Sequence, residues 1–174
     1  GIRELLKKGT LSKNSVDLVA KLEELETLLG EDLSKKGIRL SFAIAPDFPI
    51  IRADGVQLQQ ATHNLIVNAA EAMLGVGRGG AIEAKVALSP EHDVLIEVRD
   101  DGPGFPPGYD VNEPTPFTTT KPEGSGLGLA VARSIAEAHG GGLAIATSPR
   151  GARVVLRLPM EKEADRENSK RHRR

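Results

Sequence analysis

The chain of 174 residues carries a formal net charge of −1, no cysteine and an ordinary apolar fraction of 39%. Its length suffices for one sizeable hydrophobic core, and the balanced charge gives no electrostatic case for a nucleic-acid partner. The lack of cysteine excludes disulfides and thiolate metal sites, and no apolar run approaches the roughly 20 residues of a membrane-spanning helix.

The N-terminal third is predicted to contain helices followed by a strand. Residues 2–8 show apolar side chains at helical spacing, which indicates the end of a helix that begins upstream. Residues 15–36 are predicted to form one helix, because apolar residues recur with a period of about 3.6 before Gly37. Alternation of apolar and polar residues predicts a half-buried strand over 38–44, and residues 50–53 form a short extended segment.

The next predicted helix has two chemically different faces. Asp54 is a suitable N-cap for it, and it should end near Met73, before a run of glycines. Asn64, Asn68 and Glu71 follow one another at spacings of four and three, so they share one side of the helix. Packing accounts for the apolar face only, which leaves the polar face as a candidate binding surface.

Two hairpins are predicted to supply the rest of a sheet. Residues 81–88 and 94–99 form the first, antiparallel hairpin, and residues 143–147 and 152–158 form the second. Residues 161–174 are highly charged, contain a single alanine as their apolar residue, and are expected to be disordered.

A long segment and a glycine-rich loop separate the two hairpins. Residues 101–123 are rich in Gly, Pro and Thr without periodicity, which predicts a mobile lid. A helix over 130–139 follows, and its start offers unpaired N–H groups and a positive dipole end that favour a phosphate. The loop before this helix consists of Gly124, Ser125, Gly126, Leu127 and Gly128.

Two further features are typical of a nucleotide site. Asp100 ends a strand directly before Gly102 and Gly104, so a carboxylate could accept a hydrogen bond from an exocyclic amine while the glycines let a flat base approach. Asn68 offers a neutral amide oxygen to a hard cation such as Mg²⁺. Each feature taken alone also has a purely structural explanation: Asp100 could belong to an ordinary Asp-Gly turn, and Asn68 could serve a structural hydrogen bond.

Together and in this order, these stretches resemble the four motifs of sensor histidine kinases of the GHKL superfamily. They correspond to the N box at 64–73, the G1 box at 100–105, the F box at 116–121 and the G2 box at 124–129. The close spacing of the last two is similar to that of the nitrogen-regulation and oxygen-sensing kinases, which have a short lid. The resemblance implies an α+β fold, a two-layer sandwich in which three helices cover one face of a mixed sheet of about five strands.

The resemblance also implies a role for each matching residue. Asn68 would bind Mg²⁺, Asp100 would accept the adenine amine of ATP, and Lys121 would reach phosphate oxygens, so that Asn68 and Lys121 are the implied catalytic residues. The other residues implied to bind ATP are Asn64, Glu71, Gly102, Gly104, Phe105, Thr119, Thr120, Gly124, Ser125, Gly126, Leu127 and Gly128.

The implied reaction is transfer of the ATP γ-phosphoryl group to a histidine on a dimerising helical hairpin, with a response regulator receiver domain as an indirect partner. Such an acceptor is followed by an acidic residue on a long helix, and none of His63, His92 and His139 has that context. The hairpin is therefore expected outside this chain.

This expectation divides the chain into a remnant of the hairpin with its linker at 1–14, a catalytic ATP-binding domain at 15–160 and a disordered tail at 161–174. Without the hairpin, the chain is expected to be monomeric, whereas its parent would be a homodimer. A cytoplasmic location is expected for the domain, and this location is compatible with a parent that is anchored in a membrane.

Other functions are compatible with parts of this pattern. The gyrase, mismatch-repair and chaperone ATPases of the superfamily place a Glu four residues before the Mg²⁺-binding Asn to activate water. That position is Asn64 here, and an amide cannot accept a proton as a carboxylate does. A serine-directed kinase of the anti-sigma-factor type and a non-catalytic nucleotide-binding module remain as alternatives.

Overall fold

The computed structural model describes residues 11–77, 79–105, 127–148 and 151–161. Within these ranges the chain forms a short ribbon, a larger sheet and the helices between their strands. In chain order the elements are β1 (Asn14–Val16), α1 (Leu18–Lys35), β2 (Ile38–Ile44), β3 (Ile51–Ala53), α2 (Gly55–Gly75), β4 (Gly80–Leu88), β5 (Asp93–Asp100), α3 (Leu127–Ala138), β6 (Gly142–Ser148) and β7 (Gly151–Pro159).

The larger sheet is mixed and has five strands in the order β2-β4-β5-β7-β6. β2 runs parallel to β4, and the remaining neighbours are antiparallel, as the two predicted hairpins require. β1 and β3 pair separately as an antiparallel ribbon. The predicted two-layer fold, with helices on one side of a mixed sheet, is confirmed.

One face of strand β5 forms part of the hydrophobic core. Val94, Ile96 and Val98 are buried beneath the helices, whereas Glu97 on the opposite face forms an ion pair with Arg153 of the neighbouring strand at 3.0 Å. Side chains alternate between the faces of a strand, so the next residue in the buried series is Asp100. The strand thus carries a carboxylate into the layer between sheet and helices.

The first long helix begins later than its periodicity predicts. The prediction of one helix over 15–36 is wrong at its start, because Val16 lies in β1 opposite Ile51 and is buried there. Asp17 has an extended backbone and its carboxylate accepts a hydrogen bond from Ala20 N at 3.1 Å, which caps the helix. Val16 fits the helical period by spacing alone, and burial in the ribbon decides its conformation.

The last described residue is tied to the N-terminal ribbon. Glu161 pairs with Lys13 Nζ at 3.1 Å and with Arg52 Nε at 3.2 Å, and its backbone carbonyl accepts a hydrogen bond from Arg52 N. Glu161 was expected to begin the disordered tail, and these three contacts place it in the folded domain instead. The rest of that tail and the predicted helix over 2–8 lie outside the described residues.

The remaining elements begin and end close to their predicted limits. α2 starts after Asp54, whose carboxylate accepts a hydrogen bond from Gln57 N at 3.1 Å, as expected for an N-cap. In the part of the chain that the structure describes, no helix is long and apolar enough to cross a lipid bilayer.

Substitution of Ile96 by Ala tests the core beneath the helices. Ile96 is fully buried at the centre of β5, so the lost contacts and the cavity should lower the free energy of unfolding by about 2–5 kcal/mol. Urea denaturation measures the change. The matched control is Leu28→Ala, because Leu28 is 69% exposed on α1 and its truncation should change stability by no more than about 0.5 kcal/mol. Equal unfolding midpoints for the two variants would contradict this assignment of the core.

Candidate functional site

The carboxylate of Asp100 is held in a fixed orientation at the end of β5. Asp100 is only 8% exposed, and its Oδ1 accepts hydrogen bonds from Gly102 N at 2.8 Å and from Ala152 N at 3.4 Å. A buried carboxylate is tolerated only where hydrogen bonds replace its lost hydration. The turn after β5 and the start of β7 together supply those donors, so the side chain is oriented before any ligand arrives.

Gly102 brings this turn into contact with helix α2. A Cβ at this position would lie 2.8 Å from Met73 Cγ, closer than real Cβ atoms approach a neighbour, and 3.0 Å from Asp100 Oδ1, which is also tight. A side chain here would therefore require Met73 or the turn to move. Glycine therefore sets the spacing between the end of β5 and the last turns of α2.

The polar face of α2 lies against the start of α3. A Cβ at Gly128 would lie 3.5 Å from the Asn64 carbonyl oxygen and 3.9 Å from the Cβ atoms of both Asn64 and Asn68. Asn64, Asn68 and Glu71 are half-buried, and all three lie along the predicted polar side of the helix. The first turn of α3 and the two asparagines thus form adjoining parts of one surface.

The predicted site residues divide into three groups: those on or against α2, those elsewhere in the described chain, and those that the structure does not describe. The structure brings together Asn64, Asn68, Asp100, Gly102 and Gly128, on or against α2. Gly104 has a φ of 78°, Phe105 is half-buried against the hydrophobic core, and Leu127 begins α3. Thr119, Thr120, Lys121, Gly124, Ser125, Gly126 and the predicted lid beyond Phe105 lie outside the described residues.

Two contributors to the site are absent from the sequence-based set. Met73 sets the approach of Gly102, and its place at the end of the N box was the available signal. The backbone N–H of Ala152 supports Asp100 from another strand, because Arg99 pairs with Arg153 in the antiparallel register of β5 and β7. No local pattern around Ala152 indicates this contact.

Each of the three histidines among the described residues occupies a different local environment. His63 is half-buried on α2, and His92 lies in the turn between β4 and β5 with a φ of 66°. His139 is buried after α3, where its Nδ1 lies 2.8 Å from the Ile135 carbonyl oxygen and its Nε2 accepts a hydrogen bond from Asp54 N. Burial lowers the pKa of His139, which favours the neutral ring.

The arrangement suits a nucleotide with a bound divalent cation. A fixed carboxylate can accept the hydrogen bond of an exocyclic amine, and the start of α3 favours phosphate oxygens. Across residues 11–77, 79–105, 127–148 and 151–161, no three His, Asp or Glu side chains cluster as a metal site. The amide oxygen of Asn68 fits Mg²⁺, which commonly takes most of its ligands from phosphate and water.

Known proteins resemble this chain across the same region. Residues 53–162 match the family described as histidine kinase-, DNA gyrase B-, and HSP90-like ATPase. The sensor histidine kinase ZraS of Escherichia coli O157:H7 is 37% identical over 158 residues, which are 90% of this chain and 34% of that protein. The sensor protein FixL of Bradyrhizobium diazoefficiens is 35% identical over 165 residues, 93% of this chain and 32% of that protein.

Solved structures show the same fold. Full-length ShkA in complex with AMPPNP superimposes with a TM-score of 0.79 at 26% identity, over 92% of this chain and 34% of that chain. The nucleotide-free catalytic domain of the histidine kinase ThkA has a TM-score of 0.75 at 27% identity, over 86% of this chain and 97% of that domain.

The chain spans about a third of the length of the sensor kinases ZraS and FixL. The interval that matches the family contains α2, the end of β5 and α3, which are the elements that form the site. The chain therefore belongs to the histidine kinase-, DNA gyrase B- and HSP90-like ATPase family.

Proposed function

We propose that this chain is the ATP-binding catalytic domain of a two-component sensor histidine kinase. The observation that carries the proposal is the convergence on α2 of the Asp100 turn and the start of α3, through Gly102 and Gly128. One end of this surface offers a carboxylate for the adenine amine, and the other offers a helix start and amide oxygens for a phosphate chain with its cation.

Each side chain has a distinct part in binding. Asp100 holds the adenine amine, and Asn68 holds Mg²⁺ through its amide oxygen. Mg²⁺ neutralises phosphate charge when it is bound with ATP. Lys121, which the structure does not describe, is proposed to add positive charge at the phosphates. Catalysis in this scheme consists of positioning the γ-phosphoryl group and stabilising its charge.

The proposed acceptor is a histidine on a helical hairpin of the same kinase. A ring nitrogen forms the new bond to the γ-phosphorus while the bond from that phosphorus to the bridging oxygen breaks, and ADP leaves. A response regulator would accept the phosphoryl group afterwards, and the parent kinase would be a homodimer. The relatives are sensor kinases, which supports this assignment of the partners.

Hydrolysis of ATP is disfavoured by the chemistry of α2. The position that carries a water-activating carboxylate in the hydrolytic members of the superfamily is occupied by Asn64, whose amide cannot take a proton from water. The serine-directed kinases share the nucleotide site, so they differ from the proposed function in the acceptor rather than in ATP binding.

Phosphoryl transfer in trans tests the proposed reaction. The chain is mixed with labelled Mg·ATP and with the hairpin of its parent protein, and we expect slow labelling of the hairpin, because the two parts meet only by diffusion. The label should be lost in acid, as a phosphohistidine requires. Acid-stable label would instead support the serine-kinase alternative, and rapid release of phosphate without an acceptor would support an ATPase.

Asp100→Asn should weaken adenine recognition without unfolding the domain. The amide oxygen can still accept from Gly102 N, but a donating nitrogen replaces the second carboxylate oxygen. Losing a hydrogen bond to a charged group should raise the Kd for Mg·ATP by roughly 10- to 100-fold.

Calorimetric titration measures this change, and a purine nucleoside triphosphate without the exocyclic amine is the control ligand. The parent chain should prefer ATP over this ligand, and the variant should lose the preference. Unchanged discrimination in Asp100→Asn would refute the adenine contact.

Asn68→Ala should weaken the part of ATP binding that depends on Mg²⁺. The variant removes an amide oxygen beside the start of α3 and leaves the apolar side of α2 unchanged, so ATP affinity in excess chelator should stay near that of the parent. With Mg²⁺ we expect a loss of about tenfold or more. Asn14→Ala is the matched control, because Asn14 is exposed in β1. Equal losses with and without Mg²⁺ would contradict the cation role.

A further inference from the structure

Helices α2 and α3 meet at two points that lie far apart along both helices. Near the start of α3, Gly128 rests on Asn64 and Asn68. After the end of α3, His139 Nε2 accepts the Asp54 N–H at 3.1 Å, just before the start of α2. The helices are therefore antiparallel, and the two contacts are about 15 Å apart at a rise of about 1.5 Å per residue.

Asp54 joins three segments at the second contact. Its backbone N–H donates to His139, its Oδ1 accepts from Gln57 N at 3.1 Å, and its Oδ2 accepts from Ser12 N at 2.9 Å. Asp54 and His139 are 7% and 8% exposed, so water is a poor substitute for these partners. The end of α3, the start of α2 and the segment before β1 are thus held in one arrangement.

Only the neutral ring of His139 can make both of its bonds. Nδ1 lies 2.8 Å from the Ile135 carbonyl oxygen and must carry the hydrogen, which leaves Nε2 as the acceptor for Asp54 N–H. A second proton on Nε2 would face the Asp54 N–H donor. Protonation therefore replaces a hydrogen bond with a contact between two donors.

We propose that His139 is a positioning residue of the nucleotide site, an inference that rests on the proposed binding of Mg·ATP. The neutral ring keeps α3 in register on α2, and this register holds Gly128 against Asn64 and Asn68 where the phosphates and the cation bind. Protonation of the ring releases the register and weakens nucleotide binding from the far end of the helix.

Burial of the ring, its hydrogen bond and the charged groups around it together set the pH at which this release occurs. Burial lowers the pKa of His139 most, its hydrogen bond with Ile135 raises it, Lys13 lowers it and Asp54 raises it. Lys13 is itself paired with Glu161 at 3.1 Å, and Glu161 also contacts Arg52. On α3 itself, Arg133 pairs with Glu137 at 3.7 Å.

The direction of the pH effect on stability follows from this pKa. An unfolded chain protonates its histidine near pH 6.5, whereas folded His139 resists protonation to a lower pH. Its contribution to the free energy of unfolding is therefore complete above about pH 6.5 and is lost as the pH falls through the lower pKa of the folded protein.

The test compares the parent chain with His139→Gln and His139→Phe. The Gln side chain can present an acceptor oxygen where Nε2 lies and does not titrate, whereas Phe fills the space without an acceptor. The pKa of the His139 ring is first located by NMR titration, and the Kd for Mg·AMPPNP is then measured by calorimetry from about pH 8 down to a pH below that pKa. The ratio of the Kd of the parent to that of His139→Gln cancels the titration of the nucleotide and of every group that the two chains share.

At pH 8 we expect His139→Gln to bind within about twofold of the parent and His139→Phe to bind about tenfold more weakly, because one buried donor has lost its partner. As the pH falls, the parent should lose affinity for Mg·AMPPNP relative to His139→Gln. The control variant His92→Gln changes an exposed turn, and its affinity should fall with that of the parent. A constant ratio of parent to His139→Gln would overturn the proposal. If His139→Phe does not fold, the ratio of parent to His139→Gln still tests the proposal.

A second measurement needs no nucleotide. In amide NMR spectra of the free chain, the Gly128 signal should move with the titration of the His139 ring in the parent and lack that movement in His139→Gln. Movement limited to Asp54 and its neighbours would overturn the positioning role. If the parent binds no Mg·AMPPNP at pH 8, the proposed function fails, and the Gly128 signal still decides whether His139 sets the helix register.

Discussion

The site depends on how closely α3 approaches α2. The two asparagines and the first turn of α3 can act on one ligand only if no side chain separates them, and at Gly128 the helices come within ordinary van der Waals distance of a single added carbon. A β-branched or larger residue there would separate the donors at the start of α3 from the amide oxygens of α2. The close approach also explains why the polar side of α2 is half-buried although it contributes little to the core.

The sheet contributes to the site by carrying a charge into the interior. Asp100 occupies a position that hydrophobic residues hold in the rest of β5, and its neighbours in that register are Val98 and Ile96. A carboxylate in such a place would strongly destabilise the fold without donors nearby. The backbone N–H groups of Gly102 and Ala152 are such donors, and both bind Oδ1 of the carboxylate. The end of β5 therefore presents an oriented hydrogen-bond acceptor, which the proposed function assigns to the adenine amine.

Local sequence patterns predicted most of this arrangement because the signals were themselves local. The end of a predicted strand before two glycines leads to Asp100, and spacings of four and three place Asn64, Asn68 and Glu71 on one side of a helix. Contacts between distant segments were not predictable in this way. The support of Asp100 by Ala152 requires the register of β5 against β7, and the hydrogen bond of His139 to Asp54 requires the antiparallel pairing of two helices. Val16 shows a different error. Its spacing fits the helical period and predicted a helix, but its pairing with Ile51 places it in β1.

The contacts of Glu161 join the last described residue to the N-terminal part of the domain. Lys13 and Glu161 are separated by 148 positions along the chain, yet their side chains form an ion pair. The sheet between them already brings the two segments together, so in the folded domain the ion pair adds little further loop-closure cost. Through these contacts, Glu161 connects the segment before β1 and strand β3 to the residues that follow β7. A substitution of Glu161 therefore removes both attachments at once.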